Sequence, residues 1–193
     1  HPRSINDDIG CCIQAAYASN LHISPTVRTN NRAKSTTTRQ GFGGYSIYAP
    51  TMRGDNFFGL NSTGSPQGAI ACSLKKDSDG SMVISGKGRI QARFTNGFFV
   101  MVNEGGPSSS TIVQDLNIDT TQRGQTKYGG RGIHWDGHPE ASGYNSINNC
   151  HIVTKELPLN QEYFHKENYP LGGCYGIQVE SCANNLIIQD NYV

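Results

Sequence analysis

Over the second half of this chain, short runs of alternating apolar and polar residues recur in the same order. Three stretches superimpose, residues 97–120, 131–154 and a shortened copy at 175–193. Phe99, Ile133 and Ile177 begin the first run of each copy, with Met101, Trp135 and Val179 two residues later. Val113, Ile147 and Ile188 open the second run, followed by Leu116, Cys150 and Asn191 and then by Ile118, Ile152 and Val193. Alternation with a period of two predicts strands that bury one face. The copies lie 34 and 44 residues apart, too unevenly for helical repeats or propeller blades, so loops must absorb the difference. Strands of about five residues with apolar positions in register predict an all-β fold, a parallel β-solenoid. In such a fold no single rung buries its own face, and stacking the rungs makes the core.

The first half carries a different pattern. Asn6, Asp7 and Asp8 offer N-cap chemistry, and Ile9, Cys12, Ile13, Ala16 and Tyr17 follow at helical spacing. This predicts a short amphipathic α-helix ending near Asn20, which would cap the lower end of the solenoid because it is too short to stand alone. Residues 24–41, rich in Thr, Asn, Arg and Ser, read as a loop. The runs at 45–49 (YSIYA) and 82–90 (MVISGKGRI) read as strands, with Gly86 and Gly88 marking a turn. The GKG stretch lacks the spacing and following helix of a phosphate loop. The expected organisation is therefore 1–60 for the capping helix, loop and first strands, and 61–193 for the rungs. The third copy stops in mid-rung at Val193, so the sequence is expected to be part of a longer polypeptide.

Composition narrows the picture without changing it. An apolar content of 35% with 23 glycines is low for a compact α/β protein but enough for a thin-cored solenoid. The net charge of +1 removes the electrostatic case for nucleic acid or an anionic membrane. No apolar run approaches the roughly 20 residues that span a bilayer. The six cysteines, at 11, 12, 72, 150, 174 and 182, form no CxxC pair. They are expected to be reduced and partly buried, with a bridge between Cys174 and Cys182 as the alternative.

The segments DDIGCCIQAAY, GGYSIYAP and VISGKGRIQ, with the rungs STIVQDLNID, GIHWDG and NNLIIQDNYV, resemble the N-terminal part of a pectin-lyase-like right-handed parallel β-helix domain. The resemblance covers the chain except residues 24–41 and is nearest in flavour to bacteriophage tailspike depolymerases and secreted polysaccharide lyases and hydrolases. It implies a carbohydrate polymer as partner, a homotrimer, a virion or extracellular location and, as in the pectate lyases of this fold, a place for Ca²⁺. The superfold hosts lyases, hydrolases, epimerases and plain adhesins, so chemistry must be sought in particular residues.

With Ile133 and Trp135 inward, the register turns His134 and Asp136 outward, and Gln178 and Glu180 one rung later. In the first copy the corresponding positions would be Val100 and Val102, outward apolar residues suited to a subunit interface. Stacked rungs are about 4.8 Å apart, which sets Asp136 under Glu180 and His134 under Gln178. Two carboxylates at about 5 Å repel by about 3 kcal/mol at an effective dielectric near 20, which favours one acid and one base, the division glycosidic cleavage needs. Asp136 and Glu180 are therefore the candidate catalytic pair, with His134 as a proton-transfer partner and Gln178 as a substrate contact. His134 and His138 share the spacing of a helical zinc motif but fall on a strand and turn, so no metal ligand is assigned. The long loop at 155–173 brings Tyr163, Phe164, His165 and Tyr169, whose rings suit the apolar faces of sugars. A shorter loop adds Arg123, Lys127, Tyr128 and Arg131, a natural contact for acidic sugars.

Overall fold

The computed structural model describes residues 13–24, 26–28, 45–64, 68–76, 78–86, 89–92, 98–103, 108–122, 131–137, 143–156, 175–180 and 185–193. They are all-β. The strands follow one another as β1 (Ile13–Gln14), β2 (His22–Ile23), β3 (Thr26–Arg28), then β4 (Tyr45–Met52), β5 (Asp55–Gly59) and β6 (Asn61–Gly64). Next come β7 (Gly68–Leu74), β8 (Ser81–Ser85) and β9 (Arg89–Ala92), then β10 (Phe98–Asn103), β11 (Ser110–Gln114) and β12 (Asn117–Gln122). The last are β13 (Arg131–Asp136), β14 (Asn145–Asn148), β15 (His151–Glu156), β16 (Tyr175–Glu180) and β17 (Leu186–Gln189).

Each strand pairs in parallel with the strand three places away in the chain. One six-stranded sheet runs β1-β4-β7-β10-β13-β16 and a second runs β2-β5-β8-β11-β14-β17. Shorter ladders join β3 to β6 and β9 to β12 to β15, with β6 lying against β9. The pairing carries residues of successive strands into columns. Ile47, Ile70, Val100, Ile133 and Ile177 share one register, and Phe58, Ile84, Val113, Ile147 and Ile188 another. Of these Ile47, Ile70, Ile133, Phe58, Ile84, Val113 and Ile147 are fully buried, and Trp135 lies beside them. Ile118 and Ile152 pair on β12 and β15, as the alternation predicts.

Two devices repeat along the parallel sheets. After β11, β14 and β17 the chain turns sharply through Asp115, Asn149 and Asp190, all with left-handed φ of 57°, 49° and 54°. Asn and Asp tolerate that conformation better than other side-chain-bearing residues, so QDL, NNC and QDN are one corner written three ways. Elsewhere an asparagine reaches between levels. Asn145 Oδ1 accepts from Thr111 N–H at 2.9 Å while its Nδ2 donates to Gly143 O at 3.2 Å. Asn56 treats Leu21 N–H and Gly54 O the same way, and Asn191 treats Cys150 N–H and Ile147 O. Each satisfies backbone groups that a tight turn leaves without ladder partners.

Two expectations are corrected. The helix ending near Asn20 is absent over 13–20, and among the described residues there is no helix; residues 1–12 lie outside them. Instead Ile13 and Gln14 pair with Ile47 and Tyr48, and Ala15 N–H donates to Tyr48 O. Tyr17 and Asn20 have φ of 60° and 53°, which no right-handed helix contains. A segment too short to hold its own helix gains more from the hydrogen bonds of a neighbouring strand.

The register of the first copy is also off by one. Val100 pairs with Ile133 and Val102 with Trp135, so the partners of His134 and Asp136 are Met101 and Asn103. Val100 and Val102 thus pair in register with Ile70 and Cys72, not in the column of His134 and Asp136 where the sequence pattern put them.

Candidate functional site

The site lies along β13 and β16. Ile133 and Trp135 are fully buried, which anchors β13 and commits its alternate positions to the opposite face. At the start of the pair, Gly132 packs against Gly176. A Cβ on Gly132 would stand 2.5 Å from Gly176 O and 2.5 Å from Ile152 Cγ2, so only glycine permits the approach. From there the register runs Ile133 with Ile177, His134 with Gln178, Trp135 with Val179 and Asp136 with Glu180. The two pairs read from the repeat, Asp136 with Glu180 and His134 with Gln178, are Cα partners. Beyond Asp136, Gly137 N–H donates to Glu180 O at 2.9 Å and carries the pairing past the end of the strand.

Side-chain geometry departs from simple alternation. His134 belongs to the outward set, yet its side chain is only 6% exposed, against 50% for Glu180. Both ring nitrogens are closed off from solvent. Nε2 of His134 lies 3.3 Å from Oε2 of Glu180. Oε1 of Glu180 accepts a hydrogen bond of 2.5 Å from Nε2 of Gln178. One carboxylate oxygen is therefore hydrogen-bonded by the amide, and the other lies within ion-pairing distance of the imidazole. Asp136 is half-buried beside it. A carboxylate fixed against an imidazole, with a second carboxylate one strand away, can position and exchange a proton with a polar ligand on this face.

The polar column is longer than the repeat indicated. Ser73, Asn103, Asp136 and Glu180 lie in register across β7, β10, β13 and β16. Asn103 is the residue the sequence reading missed. Its signal was faint, because FFVM ahead of it is apolar at every position and shows no alternation from which to set the register. Tyr175, 46% exposed, opens β16 opposite Arg131. Arg131 itself opens β13, in register with Phe98 on the other side. Arg123, Lys127, Tyr128, Tyr163, Phe164, His165 and Tyr169 lie outside the described residues, as does His138.

Among the described residues no group of three or more His, Cys, Asp and Glu side chains is arranged to hold a metal ion, and no helix is long and apolar enough to cross a membrane. Cys72 and Cys150 are buried thiols outside any disulfide; Cys11, Cys12, Cys174 and Cys182 are not among the described residues. Burial raises the Cys72 thiol far beyond its ordinary range. It pushes Cys150 up to about 11, against a lowering hydrogen bond at Leu116 and with a smaller raising contribution from Asp115. Neither is a nucleophile near neutral pH. Comparison with protein-family models, with curated proteins and with solved structures finds no match to this chain.

Proposed function

We propose that this protein binds and cleaves a polysaccharide on the flank of a right-handed parallel β-helix, with Asp136 and Glu180 as the working carboxylates. The coil is supported by the period of three in the strand pairing, by the corners at Asp115, Asn149 and Asp190, and by the asparagines that join levels. Right-handedness follows from the hand of parallel crossover connections, right-handed in about 98% of cases. The observation that carries the chemistry is the in-register pair Asp136 and Glu180, with Glu180 held by His134 and Gln178. A track of Ser73, Asn103, Asp136 and Glu180, stepping about 4.8 Å per strand, suits an extended polymer better than a compact ligand.

The resemblance to tailspike depolymerases extends this reading to a bacterial surface polysaccharide, a homotrimer and a virion or extracellular setting. In that reading Arg123, Lys127, Tyr128, Arg131, Tyr163, Phe164 and Tyr169 contact the glycan. The test is release of reducing ends or unsaturated sugars from a panel of capsular polysaccharides and lipopolysaccharides by the wild type, Asp136→Asn and Glu180→Gln. Each substitution is expected to slow cleavage by at least about tenfold, a loss of roughly 1.4 kcal/mol in transition-state stabilisation. Equal rates in all three proteins refute the assignment. A monomer by light scattering, with calcium-dependent, ultraviolet-absorbing products, identifies a Ca²⁺-dependent lyase instead.

One observation favours a second reading. Glu180 has one oxygen hydrogen-bonded to Gln178 and the other against His134, an arrangement that also suits a glycan-binding spike that performs no cleavage. Retained polysaccharide binding without product release by the wild type would select it.

A further inference from the structure

Gln178 and His134 have a narrower role than their place in the cluster suggests. Of the three side chains that meet on β13 and β16, Glu180 alone stands half in solvent. His134 has both ring nitrogens closed off, so in this arrangement a ligand on the face meets Glu180 and not the imidazole. Gln178 is half-buried and spends its amide donor on Glu180 Oε1. Its own Oε1 is closed off from solvent and has no hydrogen-bond partner. A buried acceptor left unpaired costs stability, and an apolar side chain of similar size would not carry that cost. A residue that weakens the fold while fixing an exposed carboxylate is explained by what the carboxylate does.

We propose that Gln178 and His134 are positioning residues for Glu180. Gln178 bonds one of its carboxylate oxygens and His134 faces the other, so that together they hold it in one rotamer, while Glu180 makes the contact with the sugar. This rests on the reading of the site as polysaccharide-cleaving and changes two of its roles: His134 acts through Glu180, and Gln178 orients the carboxylate without binding substrate. A free glutamate on a strand samples several rotamers, and ordering it in advance removes that cost from the reaction.

The test uses the full chain as wild type, Gln178→Leu, His134→Phe and His134→Gln. Three-bond couplings in the Glu180 side chain, measured by NMR without any ligand, are expected to report one rotamer in the wild type and averaging in Gln178→Leu. Averaging already present in the wild type, or none in the variant, overturns the proposal whatever the protein acts on. Thermal unfolding of Gln178→Leu is expected at or above the wild-type temperature; a clear drop would make the amide a structural group and overturn the proposal as well. On a capsular polysaccharide that the wild type cleaves, Gln178→Leu is expected to lose about tenfold in kcat with KM changed less than about threefold. His134→Phe should lose as much or more, and His134→Gln, which keeps an N–H for Glu180, should recover part of it. Unchanged kcat in Gln178→Leu overturns the positioning role. Absence of cleavage by the wild type on every polysaccharide instead refutes the enzymatic reading, and the rotamer measurement still decides whether the clamp exists.

Discussion

Asn145 offers the sharpest test of how the levels are held together. Its side chain is fully buried, accepts from the N–H of Thr111 at 2.9 Å and donates to the carbonyl of Gly143 at 3.2 Å. Asn145→Leu keeps the branched heavy-atom shape, with bulkier ends, and suits a strand but leaves the Thr111 N–H buried without an acceptor. That costs about 1–3 kcal/mol. The Gly143 carbonyl, closer to solvent, adds about 0.5 kcal/mol, and the added apolar burial returns part of the loss. The expected net loss is about 2 kcal/mol, or about 4–8 °C in Tm for a chain of this size. Asn145→Asp separates the two bonds. Its carboxylate still accepts from Thr111 but faces the Gly143 carbonyl as an unpaired buried charge, so its pKa in the fold is raised. Its contribution is then retained at low pH and lost as pH rises through that value. Asn145→Asp should therefore be the worse variant at pH 7 and recover toward wild type near pH 4. Urea unfolding followed by the fluorescence of Trp135, the single tryptophan and fully buried, measures both. A loss in Asn145→Leu below about 0.5 kcal/mol with an unchanged m-value would refute the clamp.

Other substitutions probe other parts of the sheets. Trp135→Ala empties the largest fully buried position and is expected to cost about 3–5 kcal/mol in urea unfolding followed by far-ultraviolet circular dichroism, since the variant lacks the single tryptophan. Gly132→Ala drives a methyl against the Gly176 carbonyl and Ile152, and should cost about 1–3 kcal/mol while disturbing the neighbouring His134. At the corner, Asn149→Val is expected to lose about 1–2 kcal/mol because a β-branched residue resists φ of 49°, whereas Asn149→Gly should be close to neutral; equal losses would show that the corner conformation is not what matters. Burial raises the Cys150 thiol to about 11, so ionisation in the unfolded chain begins near its ordinary value of 9.0. The thiol's stabilising contribution is complete below that pH and falls as pH climbs toward about 11, and Cys72 acts in the same direction. Unfolding free energies at pH 8 and 10.5 should diverge less in Cys150→Ala than in wild type, and identical pH slopes would contradict this.

How much of the site was legible depended on the local pattern. In GIHWDG and YGIQVE apolar and polar residues alternate cleanly, so the register that pairs Asp136 with Glu180 could be read directly. In FFVMVN five consecutive apolar residues fit either parity. The expected register is off by one there, which hid Asn103 and put Val100 and Val102 in the column of His134 and Asp136. The spacing of Ile9, Cys12, Ile13, Ala16 and Tyr17 suited a helix equally well on paper. Helical spacing describes a face but not the partner that covers it, and the edge of β4 supplied one that a helix could not use.

By itself, then, the sequence determined the strand-rich character of the chain, the columns through Ile133 and Ile147, the buried places of Cys150, Ile118 and Ile152, and the partnership of Asp136 with Glu180. Those features follow from period two and from side-chain size, which are local and repeat in every copy. Only the tertiary structure decided the conformation around Tyr17, the parity of β10, the burial of His134 and the turning of Glu180 toward His134 and Gln178. Each of these is settled by atoms brought together from strands far apart in sequence, at distances of a few ångströms that no one-dimensional pattern encodes.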